Sequence, residues 1–158
     1  MQWFSRFRRD EQGVQLLELA IVLPMLCLLF GAVAEFGRYF YEYTTAAKGA
    51  RVGARYLASK SATSNANNWE ANAKNIVVYG NPAGTGDPIL PGLTTANVEV
   101  QYQGGTAGVP DTIKISIIDY QHQSLFDLGA LLNSETLSLN VDVKPSVTMR
   151  YMLTQPSV

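Results

Sequence analysis

The chain is poor in the residues that carry most enzyme chemistry. Its 158 residues include one cysteine, Cys27, and one histidine, His122. A single cysteine excludes an intrachain disulfide and leaves the redox compartment open. Cys27 lies inside an apolar run and reads as a small hydrophobe; a disulfide to a second chain is the other reading. A lone histidine argues against a Ser-His-Asp site and against a histidine-cluster metal site, and His122 is expected as an isolated, exposed side chain. Charge of one sign is also lacking. Twelve Lys and Arg against 13 Asp and Glu give a net −1, without the basic field of a nucleic-acid binder. Gly84-Thr85-Gly86-Asp87 and Gly104-Gly105-Thr106 lack the lysine and the strand-to-helix context of a phosphate loop, so they read as turns. Asp87, Asp111 and Asp119 lack calcium-loop spacing, and Asn65, Asn67 and Asn68 are loop formers. No cofactor, no metal and no enzymatic activity are expected.

The chain does have one long apolar run. Residues 13–34 are fit for a bilayer except for Gln15 and one carboxylate, Glu18. About 20 residues at 1.5 Å rise cross a hydrocarbon core of about 30 Å. With the run set aside, about 120 residues remain for one small domain, too few for a large enzyme. An acidic residue at a helix centre costs about 2.5–3.5 kcal/mol on insertion scales. Glu18 is nearer the end and costs less, but it still calls for a role. Arg6, Arg8 and Arg9 precede the run, which predicts a cytoplasmic leader and an exported C-terminal part.

Three readings of this N-terminus are open. A cleaved secretory signal fits Ala32-Val33-Ala34 before Glu35, but the leader is long and holds two acids, Asp10 and Glu11. An uncut signal anchor leaves Glu18 unexplained. The third reading is a prepilin cut after Gly13, so that Val14 becomes the first residue and Glu18 the fifth. The cut exposes an α-amino group at the membrane edge. A carboxylate one turn along can neutralise that charge on a neighbouring subunit, and the pair is stronger in low dielectric than in water. Removing residues 1–13 takes away three arginines and two acids and shifts the net charge from −1 to −2.

Helical spacing continues beyond the apolar run. Phe36, Phe40, Tyr43, Ala47, Ala50, Ala54 and Leu57 recur at steps of four and three, as in a packing seam. One helix is therefore expected from near Val14 to near Lys60, about 70 Å long, with Pro24 loosening it inside the membrane. The seam reads either as core packing against the chain's own sheet or as subunit contact. Ala46, Ala50, Ala54, Gly49 and Gly53 allow close backbone approach. Arg38 and Glu42 form an i,i+4 pair of minor stability value. Lys48, Arg51 and Arg55 form a basic stripe, read as a solvated face. By helical rise Lys48 lies about 20 Å past the apolar end.

The remainder predicts an α+β domain. Residues 61–68 read as a polar loop and residues 69–79 as a short helix ended by Gly80. Residues 80–92 form a turn-rich connector. Val98, Val100 and Tyr102 alternate with polar residues, as do Ile113, Ile115 and Ile117, and period two marks half-buried strands. The loop Gly104 to Gly108 joins these two as a hairpin. Leu137, Leu139, Val141 and Val143 alternate likewise, continued by Val147, Met149 and Tyr151, with Pro145 marking an edge or bulge. Ser124-Leu125-Phe126-Asp127 has the form of a weak capping box before Leu128, Leu131 and Leu132. A one-faced antiparallel sheet needs a cover, which the long helix can supply. The expected organisation is leader 1–13, membrane helix 14–34, helical continuation 35–60 and an extracytoplasmic α+β domain 61–158.

The order of Gly13, Glu18, Leu23-Pro24, Glu35-Phe36-Gly37-Arg38 and Gly49-Ala50-Arg51-Val52-Gly53-Ala54-Arg55-Tyr56 resembles the TadE-like family. These are pseudopilins or minor pilins of bacterial tight-adherence (Flp-type) pilus systems. Arg8 to Ala58, about a third of the chain, carries the resemblance. Gln15 and Leu17 depart from the small residues often found near the cleavage region. The resemblance implies a pilin-like fold, with a long N-terminal helix packed on a small antiparallel sheet. It implies processing at Gly13–Val14 by a prepilin peptidase and a role for Glu18 in assembly. It also implies a single pass of the bacterial inner membrane, and contact with other pilins or pseudopilins and the inner-membrane platform of the pilus machinery. The alternative function is a membrane-anchored periplasmic binding module that is not processed.

Overall fold

The computed structural model describes residues 11–60, 68–105, 110–125, 129, 133 and 138–152. The leader arginines, most of the polar loop 61–68, Thr106 to Gly108, the segment from Phe126 to Leu132 apart from Gly129, and Leu137 lie outside the described residues. The elements in chain order are α1 (Glu11–Ala58), α2 (Trp69–Tyr79), a 3-10 turn (Thr95–Asn97), β1 (Val98–Gln103), β2 (Thr112–Ile117) and β3 (Ser146–Arg150). The chain divides into two compact units, Met1–Gly37 and Arg38–Val158.

The first unit contains the apolar part of α1. Its side chains point outward, as Leu16 (67 % exposed) and Met25 (76 %) illustrate. The stretch is long and apolar enough to cross a membrane, with a mean hydropathy of 2.5. Pro24 sits inside the helix, and Cys27 is on its outer surface. Such a face has no partner in water and is stable only where lipid or another apolar surface covers it.

The second unit is α+β. β1 and β2 pair antiparallel with Val98 opposite Ile117 and Tyr102 opposite Ile113. β2 and β3 pair antiparallel with Ile113 opposite Met149 and Ile115 opposite Val147. The strand order is β1-β2-β3. Ile113, Ile115 and Ile117 point to one face, as period two requires, and join Ala46, Ala50, Ala54, Leu57 and Ala58 of α1 in one buried cluster. The helix covers the sheet because its contact face is small. A Cβ on Gly53 would lie 2.6 Å from Val77 Cγ2 and 3.2 Å from Ile115 Cδ1. One on Gly49 would lie 2.9 Å from the Val77 carbonyl oxygen. These two glycines let α2 and β2 approach the axis of α1.

The 69–79 helix is where sequence placed it, and Gly80 ends it in a left-handed conformation, φ 73°, with its N–H donating to the Ile76 carbonyl. Two leucines in the connector, Leu90 and Leu93, are 1 % exposed and plug the core. The hairpin turn uses Gly104 (φ 70°) and Gly105 (φ 88°). The Gly105 N–H donates to Asp111 Oδ2 at 2.9 Å.

The third alternating segment needs correction. Only Ser146–Arg150 pairs in the sheet. Residues 138–145 lie outside it except for a bridge between Gln121 and Asp142. Pro145 has no N–H to continue the ladder, although its carbonyl accepts from Ile117 N–H at 3.0 Å. Upstream of it, Val143 is buried while Val141 is 46 % exposed. The backbone there pairs with 120–122 instead: His122 N–H donates to Val141 O, and Val143 N–H to Tyr120 O.

Candidate functional site

The residues singled out near the N-terminus share the first turns of α1. Gly13, Val14 and Glu18 are all exposed. A Cβ on Gly13 would meet nothing within 4 Å, so packing within the chain does not demand glycine there. Val14 and Glu18 stand one turn apart, about 6 Å along the axis, on one face. Glu18 is thus an exposed carboxylate on an otherwise apolar helical surface.

The seam residues divide. Ala50, Ala54 and Leu57 are in the core, and Ala47 is half-buried. Phe36 (69 %), Phe40 (59 %) and Tyr43 (39 %) are exposed. The inward face in the second unit runs through Ala46, Ala50, Ala54, Leu57 and Ala58, with Tyr39 packed at its edge. Lys48, Arg51 and Arg55 are exposed on the opposite side.

Sequence reasoning missed a pair formed by Glu42, one turn past Tyr39 on α1, and the buried His122 of the 119–124 loop. His122 is 1 % exposed, not an exposed lone histidine. Its Nδ1 lies 2.8 Å from Glu42 Oε2. A carboxylate only accepts, so Nδ1 carries the proton. The Tyr39 ring meets the imidazole edge-on, with centroids 5.9 Å apart. Arg38 approaches the other Glu42 oxygen at 4.0 Å. The expected Arg38–Glu42 pair is therefore present, but the closer partner of Glu42 lies 80 residues away. No local pattern signals such a contact. The available hint was Glu42 itself, an acid next to the seam.

Beside this pair opens a cleft of about 720 Å³, lined by Arg38, Glu42, Pro91, Asp119, Tyr120 and Gln123 among others. Burial, and next the negative charge of Glu42, push the Tyr120 phenol above its ordinary value. Its hydroxyl donates to the Pro91 carbonyl at 3.2 Å. Hydrogen bonds from Lys144 and then Gln121 hold the Asp142 carboxyl below the usual range, and the same contact raises Lys144. Among the described residues no group of three or more His, Cys, Asp or Glu could hold a metal ion. The polar groups along the cleft are largely engaged with one another. Their arrangement ties loop 119–124 to α1 through Glu42 and His122, and among the described residues it sets no nucleophile beside a base.

Neither a curated protein nor a solved structure matches the chain. A family match is found on α1, over the segment that carries the ordered glycine, glutamate, Leu-Pro and Glu-Phe-Gly-Arg features. Residues 13–55 of this chain match the family described as TadE-like protein.

Proposed function

We propose that the chain is a minor pilin or pseudopilin that serves the assembly or function of a tight-adherence pilus. The family match over residues 13–55 carries this reading, because it falls on the helix that bears the outward Glu18. In this reading a prepilin peptidase cuts the Gly13–Val14 bond from the cytoplasmic side. The helix stays in the inner membrane as a single pass, with the C-terminal domain in the periplasm. The new ammonium on Val14 and the carboxylate of Glu18 then act between neighbouring subunits. In low dielectric each is costly alone and stabilised by the other, so the pair favours one axial register between helices. Other pilins and the inner-membrane platform are its partners. The polar cleft between α1 and the 119–125 loop favours one alternative, an unprocessed membrane-anchored binding module.

Intact-mass and N-terminal analysis of the protein from membranes of a host with its own pilus system tests the reading. A start at Val14 is expected. A start at Glu35 would mean a secreted domain, and an intact Met1 a plain anchor; either sinks the processing claim. Gly13→Leu should keep full mass, and normal maturation of that variant would also count against it.

A further inference from the structure

We draw no further inference here: the strongest candidate, the polar cleft between α1 and the 119–125 loop, belongs to the site already described around Glu42 and His122, and nothing in the structure shows what would occupy it.

Discussion

At Gly53 α1 lies close against both α2 and β2, and replacing it by alanine opposes two effects of known size. Alanine in a helix interior is favoured over glycine by about 0.8–1.0 kcal/mol. Against this, the added methyl would stand 2.6 Å from Val77 Cγ2, 3.2 Å from the Ala73 carbonyl oxygen and 3.2 Å from Ile115 Cδ1. Val77 is fully buried and β-branched, so its methyl has little freedom to move. Overpacking of this kind costs about 1–3 kcal/mol. With two further close atoms, one of them backbone, the cost belongs in the upper part of that range. Gly53→Ala should therefore lose about 1–2 kcal/mol net. Urea unfolding of the full chain in detergent, followed by Trp69 fluorescence in a Trp3→Phe background, measures it. Val77→Ala alone should cost about 2–3 kcal/mol through lost burial and a cavity. The double variant should be better than additive by about 1 kcal/mol, because the removed Cγ2 makes room for the new Cβ. A Gly53→Ala chain as stable as wild type, or strict additivity in the cycle, would refute the close packing of α1 on α2.

Removing the imidazole with His122→Ala should cost about 2–4 kcal/mol, since it leaves the Glu42 carboxylate without its closest donor. Glu42→Gln keeps an acceptor and should cost less; the reverse order in the same urea assay would contradict the pairing. Tyr120 has a folded-state pKa raised above 10.0 by burial and by Glu42. Its contribution is fully present below the unfolded value near 10.0 and is lost as pH rises through the folded one. Tyr120→Phe should therefore flatten the alkaline fall in stability, and an unchanged slope above pH 10 would refute this. Glu18→Ala should insert in the membrane and mature normally yet impair assembly. Unchanged piliation in that variant would remove Glu18 from any alignment role.

The elements set by local rules were legible in the sequence. Apolar length marked the first part of α1, which is long and apolar enough to cross a membrane, Gly80 marked the end of α2, and period-two isoleucines marked β2. Each depends on residues within a few positions of one another. The same reading overextended the last strand, because alternation alone does not show whether a backbone partner is available. Residues 141–143 found theirs in 120–122, outside the sheet.

Which face of the long helix turns inward was decided by tertiary structure. The seam pattern predicted Phe36, Phe40 and Tyr43 in line with Ala50, Ala54 and Leu57. Burial instead follows the alanines, with Ala46 and Ala58 and the two close-approach glycines, and leaves the large aromatics outside. Helical periodicity is satisfied by several adjacent stripes, and only the shape of the facing sheet and α2 selects the one that allows contact. His122 is the sharper case. Its burial against Glu42 joins positions 80 residues apart, a contact that exists only once the chain has closed on itself. Composition and short-range pattern thus determined the elements and the long apolar segment, whereas long-range packing chose the faces and brought His122 against Glu42.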